Sequence, residues 1–225
     1  PCLPPPSNEC PAFTAMPVMQ FLVIIGMAMG WGVLRNYHAH AKEMGSEPST
    51  VPLFFFMPPA SLLSFESGFG EIDHPNPECT IHHEVELVFR IGQNGRPDAV
   101  CIGLDLTNRT EQEVAKRDGL PWSDAKGFPN SAPHGPWSVY NSGEFKVQLS
   151  VNGEMPQQAS SIMMIHSIDS ILEALDERFN PQSGDLVFTG TPSGVGPIKP
   201  GDELVAELHQ DGRCISHLHL HINAQ

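Results

Sequence analysis

At 225 residues and 24.6 kDa the chain has room for one or two domains whose core needs no disulfide staples. Its 26 acidic against 12 basic residues leave a formal charge of −14, while 40% of residues are hydrophobic and only 17% charged. That balance argues against a disordered chain and repels phosphate backbones and anionic lipid, so nucleic acid and membrane are disfavoured as partners and cations are favoured. The 22 prolines and 20 glycines favour turns and short strands over an all-helical bundle. Cys2, Cys10, Cys79, Cys101 and Cys214 are odd in number and form no CxxC pair, which speaks against a disulfide framework or a thiolate zinc site. A reducing compartment follows, the cytoplasm first, with an organellar matrix left open.

In chain order, Pro1 to Gln20 carry no fold signal. Phe21–Leu34 is an apolar run of 14 residues, too short for a membrane helix of about 20 and preceded by no basic segment, so it reads as a buried strand and not as a span or secretory signal. Asn36 to Gly45 reads as a short helix capped by Asn36 and closed by Gly45. The stretch Pro48 to Pro77 is irregular, with a buried strand expected at Phe54–Phe56. From His83 to Ile91 the pattern alternates, with Val85, Leu87, Phe89 and Ile91 on one face and Glu84, Glu86, Val88 and Arg90 on the other. A turn at Gln93-Asn94-Gly95 follows.

Cys101–Thr107 alternates again, placing Ile102, Leu104 and Leu106 opposite Gly103, Asp105 and Thr107. Thr110 and Glu113 have capping-box spacing for a helix stopped by Gly119 and Pro121. Asn152-Gly153 signals a hairpin, and Ile165, Ile168, Leu172, Leu175 and Phe179 give a helix ending before Asn180-Pro181. Short strands and turns return from Gly184 onward.

Several groups carry chemistry. Glu84 and Glu86, two apart on a strand, project their carboxylates from one face roughly 6 to 7 Å apart. With Asp105 on the next strand they could form an all-oxygen site for Mg²⁺ or Mn²⁺; an ordinary solvated strand face explains the same pattern. His40 and Glu43 stand i, i+3 on the short helix, as a general base with its orienting carboxylate or as a plain surface pair. Lys126, among small and apolar residues, needs an anion nearby. The glycine-rich run Thr189–Pro197 could hold an anion on its backbone N–H groups or be a tight turn between strands. It is not a Walker sequence, and Ser193 is not a nucleophile elbow because Thr191 stands where Gly is needed. His217, His219 and His221 alternate with leucine, which fits the polar outer face of a terminal strand better than a metal site.

Taken together, RNYHAHAKEMG (35–45), HHEVELVFRIG (82–92), GLDLTNRTEQ (103–112), LPWSDAKGF (120–128), VNGEMPQQ (151–158) and TGTPSGVGPIKPGD (189–202) resemble the fumarylacetoacetate hydrolase family, and most of all its fumarylpyruvate hydrolase and acylpyruvase branch. The resemblance covers about Arg35 to Leu208. It implies an α+β, mainly β architecture, a mixed β-sandwich roll, in a homodimer, with residues 34–225 as the catalytic domain and 1–33 as a poorly defined segment holding the apolar strand. It also implies Mg²⁺ or Mn²⁺ held by Glu84, Glu86 and Asp105, with Lys126 and Thr191 at the substrate and His40 with Glu43 on a mobile lid. Arg35, Tyr37, Arg109 and Gln112 complete the expected substrate contacts. Four positions depart from the family pattern: Leu34 for Gly, Pro58 for Lys, Asn108 for Arg and Thr110 for Asp.

The implied reaction is hydrolytic C–C cleavage of a 3-acylpyruvate, with fumarylpyruvate giving fumarate and pyruvate as the leading case in aromatic degradation. His40 would activate water, and the cation with Lys126 would stabilise the pyruvate enolate that departs. Arg35 or Arg109 would hold the distal carboxylate. Oxaloacetate decarboxylation on the same scaffold, or a non-catalytic metal-binding homologue, are the alternatives.

Overall fold

The computed structural model describes residues 27–224, so the expectations for Pro1 to Gln20 and for the first part of the apolar run lie outside the described residues. The first half of the chain runs β1 (Gly30–Val33), α1 (His38–Glu43), β2 (Phe54–Met57), β3 (Leu62–Ser64), β4 (Phe69–Asp73), β5 (Ile81–His83), β6 (Val85–Ile91), β7 (Pro97–Leu104), β8 (Thr107–Asn108) and α2 (Arg109–Asp118). There follow α3 (Ser123–Lys126), β9 (Ala132–His134), β10 (Ser138–Val139), β11 (Phe145–Val151), β12 (Glu154–Ser160), α4 (Ile168–Phe179), β13 (Leu186–Phe188), β14 (Gly196–Pro197), β15 (Glu203–Gln210) and β16 (Arg213–Asn223).

These strands form a large sheet of order β2-β1-β13-β6-β7-β9-β3 with β10 beside β7, a five-stranded sheet β12-β11-β15-β16-β4, and a small sheet β14-β5-β8. Pairing is mixed: β1 with β13, β3 with β9 and β16 with β4 are parallel, the rest antiparallel. The five-stranded sheet packs over β6 and β7, and Leu87, Phe89, Ile102, Leu104, Leu149, Leu208 and Leu220 fill the space between. Each such fully buried side chain contributes about 1.5 to 3 kcal/mol. A second cluster, Met57, Val88, Cys101, Ala132, Leu186 and Phe188, is formed by residues of the large sheet itself.

Burial of the second face of β6, among residues of the same sheet, corrects its reading as a solvated one. Glu86 and Val88 project from it as the period-2 pattern requires, yet both are buried. Glu84 is not in the strand; it forms the break between β5 and β6. The triple-phenylalanine strand forms as β2, but at the edge of the large sheet with Phe56 exposed, so the expected burial is corrected too.

The caps also differ in detail. Asn36 does not cap α1; Tyr37 holds that position without a side-chain bond, while Asn36 is fully buried and donates to the carbonyls of His166 and Thr189. Gly45 closes the helix at φ +62, as read. For α2 the cap is Asn108, whose Oδ1 accepts from Glu111 N, and Thr110 instead accepts from Thr80 N with its hydroxyl. The Asn152-Gly153 hairpin joins β11 to β12, with both residues at positive φ. Helix α4 begins at Ile168 behind a Ser167 cap and ends at Asn180, so Ile165 falls outside it.

Candidate functional site

The carboxylate cluster is built where β6 begins and β7 ends. Val85 pairs with Leu104 and Glu86 with Gly103, and Asp105 N donates to Glu84 O at 2.8 Å, so the chain reversals bring all three acids to one end of the pair. Oxygens of Glu84, Glu86 and Asp105 lie within 4.8 Å of one another, and all three residues are buried.

Three like charges in a buried nest require cations. Lys126, on the single turn α3, donates to Glu84 Oε2 (3.0 Å), to Asp105 Oδ2 and to Thr107 Oγ1 (2.6 Å), so every N–H of its ammonium is used. Arg109 pairs with Glu84 through Nη2 and donates to Gln112 Oε1 through Nη1 (2.8 Å). Two cations against three carboxylates leave an excess negative charge, and it falls unevenly. Burial acts against ionised Glu84, but Lys126 and Arg109 outweigh it and hold that carboxyl at about 2. Burial, with the charges of Asp105 and Glu84, drives Glu86 well above the usual carboxylate range. Burial raises Asp105 to about 7 in spite of Lys126. Oδ1 of Asp105 is buried with no hydrogen-bond partner. An orphaned carboxylate oxygen, an uncompensated charge and three hard oxygen donors are what a Mg²⁺- or Mn²⁺-type ion would complete.

The glycine-rich turn resolves the two readings left open for it. Its N–H groups do hold anions, but the anions are the protein's own: Gly190 N donates to Glu86 Oε2 at 2.7 Å and Gly194 N to Glu43 Oε1 at 3.0 Å. Gly190 has φ +96, and a Cβ there would stand 2.8 Å from Asn36 Cβ, so the approach to Glu86 needs glycine. Thr191 Oγ1 donates to Val85 O and accepts from Gln157 Nε2 at 2.8 Å.

Helix α1 lies across this turn. His40 Nδ1 is 3.1 Å from Glu43 Oε2; because a carboxylate only accepts, Nδ1 donates in this bond, which leaves Nε2 as the ring nitrogen for other partners. His40, the three acids, Lys126 and Thr191 line one cleft. Arg35, Arg109, Gln112 and Lys116 line it too, with Phe55 and Trp122 as apolar wall; its empty volume is about 450 Å³, open solvent at the mouth included.

Nearly all the sequence candidates therefore meet in one cleft. Tyr37 is an exception: it is buried outside the lining, where burial and the charge of Glu86 push its phenol up and keep it neutral. Glu43 reaches the cleft only through His40. Arg109 is already shared between Glu84 and Gln112, whereas the Arg35 side chain makes no hydrogen bond or ion pair among the described residues. The three histidines of β16 converge on no metal-ligating group among the described residues; they are half-exposed beside Phe69, matching the polar outer face.

Two residues escaped the sequence reading. Lys116 stands four after Gln112 and seven after Arg109, one polar stripe down α2 that the i, i+3, i+7 spacing could have disclosed. Gln157 is fully buried and accepts from His83 Nδ1 (2.9 Å) and Val85 N (3.1 Å) while donating to Thr191 and Pro192 O, tying β12 to β6 and the glycine-rich turn. It lies within a motif but carried no sequence signal of that role.

Comparisons with known proteins agree with this geometry. Residues 30–219 match the family described as fumarylacetoacetate (FAA) hydrolase C-terminal. A mitochondrial oxaloacetate decarboxylase of Dictyostelium discoideum is 36% identical over 74% of this chain and 82% of its own. A mitochondrial oxaloacetate tautomerase of Schizosaccharomyces pombe is 36% identical over 77% of this chain and 85% of its own. Among solved structures, a fumarylpyruvate hydrolase of Pseudomonas aeruginosa in complex with Mn²⁺ and pyruvate superposes with a TM-score of 0.81 at 30% identity, covering 88% of this chain and 91% of that one. With its mixed β fold, its buried acids and this match over most of its length, the chain belongs to the fumarylacetoacetate hydrolase family of metal-dependent enzymes.

Proposed function

We propose that the protein acts on a short 2-oxo dicarboxylate of the oxaloacetate type, shifting the proton on the carbon beside the oxo group. The observation that carries this reading is the distribution of cations. In a chain with 12 Lys and Arg against 26 acids, Arg35, Arg109, Lys116 and Lys126 all line one cleft. Arg109 and Lys126 neutralise the carboxylate nest, whereas Arg35 and Lys116 make no ion pair among the described residues and Lys116 Nζ sits over the Trp122 ring, 5.5 Å from its centroid. Two unneutralised cations at one mouth fit a substrate with a second carboxylate. The oxaloacetate-named relatives support this over the acylpyruvate reading, and their mitochondrial location supports an organellar matrix over the cytoplasm.

Glu84, Glu86 and Asp105 would hold Mg²⁺ or Mn²⁺, which supplies Lewis acidity toward the 2-oxo acid end of the substrate. The side chains do the rest. His40 takes the proton from the substrate carbon through Nε2, and Glu43 holds the resulting imidazolium. Lys126, at the floor of the cleft, opposes the charge that grows on the oxo oxygen. Returning a proton to that oxygen gives the enol, an isomer of the substrate, with no co-reactant consumed. Arg35 and Lys116 favour this over loss of CO₂, because decarboxylation must drain negative charge out of the carboxylate they stabilise.

Hydrolysis of a 3-acylpyruvate is the second reading, favoured by the likeness to the Pseudomonas enzyme. A substrate panel separates the two. With Mg²⁺ present, keto–enol conversion of oxaloacetate should outrun CO₂ release and outrun cleavage of acetylpyruvate and fumarylpyruvate; faster cleavage of fumarylpyruvate would install the second reading instead.

A further inference from the structure

The β15–β16 hairpin holds a second converging group of metal-ligating side chains, remote in chemistry from the cleft. Next to the Asp211-Gly212 turn, ligand atoms of Glu207, His209 and Cys214 all lie within 4.8 Å of one another. Register explains the convergence. Glu207 and His209 are two apart on β15 and share its outer face, and Cys214 is the direct cross-strand partner of His209. Plain alternation would turn Cys214 inward with Ser216, Leu218 and Leu220, which are buried. The register shift at Leu208/His209 turns it outward instead, and it is exposed.

We propose that Glu207, His209 and Cys214 form a site for a borderline or soft divalent ion such as Zn²⁺ or Cd²⁺, with its fourth position open to solvent. His209 Nε2 and Glu207 Oε2 stand 3.2 Å apart. Nitrogen and oxygen ligands at about 2.0 to 2.2 Å from a tetrahedral ion are separated by about 3.3 to 3.6 Å, and a sulfur at about 2.3 Å lies about 3.6 Å from either. The first span is already in place, and the thiol sits at the facing position of the same hairpin. Gln148, on neighbouring β11, donates to Glu207 Oε2 and orients that carboxylate.

His217, which faces Glu207 across the strands, is not part of the group. Its ring packs against Phe69 with centroids 5.3 Å apart, and its Nε2 lies 2.4 Å from where a Cβ on Gly68 would be, so it leans toward β4. Ligation converts the Cys214 thiol to thiolate and releases its proton to solvent. The two sites then sort ions by chemistry: sulfur, nitrogen and oxygen at the hairpin against three hard oxygens in the cleft.

The test uses the full chain saturated with Mg²⁺, titrated with Cd²⁺ and read by thiolate-to-metal charge-transfer absorption in the ultraviolet, which the all-oxygen cleft cannot produce. About one Cd²⁺ per chain should give the band. Cys214→Ser should abolish it, His209→Ala should weaken Cd²⁺ at least about tenfold, and Glu84→Gln should leave it intact. Circular dichroism confirms that Cys214→Ser is folded, as its exposed position predicts. A band that persists in Cys214→Ser, or none in the parent, overturns the proposal.

Discussion

Glu43 and Gly194 meet across the turn below α1: the carboxylate accepts Gly194 N–H at 3.0 Å through one oxygen while its other oxygen holds His40 at 3.1 Å. The expected base and the glycine-rich turn are therefore joined by one side chain, and the same turn reaches Glu86 through Gly190. Replacing Glu43 by Gln removes one of these acceptors and presents a donor to His40 Nδ1. Turnover should fall in Glu43→Gln with Mg²⁺ affinity, measured by calorimetry, close to the parent; a parental rate would detach Glu43 from the chemistry.

His40→Ala should lower turnover by about 10² to 10⁴, the range for a positioned general base, again with Mg²⁺ binding retained. Rate and metal affinity are read separately on the same preparation. A variant with parental kcat would remove His40 from the mechanism.

Gly190→Ala meets two obstacles, the positive φ and the close approach to Asn36. The strain costs on the order of 1 to 3 kcal/mol and displaces the N–H that holds Glu86. Both the melting temperature and the Mg²⁺ affinity should drop. Parental Mg²⁺ affinity at a lowered melting temperature would show that the Glu86 contact does not position the ligand.

Arg35→Met and Lys116→Met should each weaken turnover of oxaloacetate about 10- to 10²-fold, from charged hydrogen bonds of roughly 1.5 to 3 kcal/mol, while sparing acetylpyruvate, which has no distal carboxylate. The readout is the ratio of kcat/KM for the two substrates. Equal losses on both would assign these cations to structure.

His134 gives a pH prediction away from the cleft acids. Burial holds its imidazole below the usual value, although Nδ1 donates to Gly135 O at 3.1 Å. The unfolded chain binds a proton near pH 6.5 that the folded chain resists, so this contribution to stability is present above pH 6.5 and is lost as the pH falls toward the depressed folded value. The slope approaches about 1.4 kcal/mol per pH unit for the one group. Denaturant unfolding between pH 7.5 and 5 should show a shallower acid loss in His134→Gln than in the parent; identical slopes would contradict the assignment.

The sequence made the strands legible where one face alternates, as in β6, β7 and β16, because a period of two survives whatever covers the other face. It could not disclose that the second face of β6 is buried, since Val88 meets its in-sheet neighbours Phe188 and Cys101, with Met57 and Ala132 in the same cluster, only once the sheet is assembled. The candidate site residues came from the family motifs, and on spacing alone the carboxylates stayed ambiguous. The four departing positions take part in local contacts. Asn108 caps α2, Thr110 bonds Thr80 N, Leu34 N donates to Leu53 O, and Pro58 starts a 3₁₀ turn whose ring lies against Gly127. Asn36 was read as a cap because local spacing cannot foresee partners 130 and 153 residues away.

In the proposed function, Glu84, Glu86 and Asp105 hold a divalent ion on which turnover of a 2-oxo diacid depends. Chelator-stripped parent and Asp105→Asn should be titrated with Mg²⁺ while oxaloacetate keto–enol conversion is followed by absorbance. Mg²⁺ should restore the parent saturably and leave Asp105→Asn near background. Full turnover in the stripped parent, or equal restoration of both proteins, would contradict it.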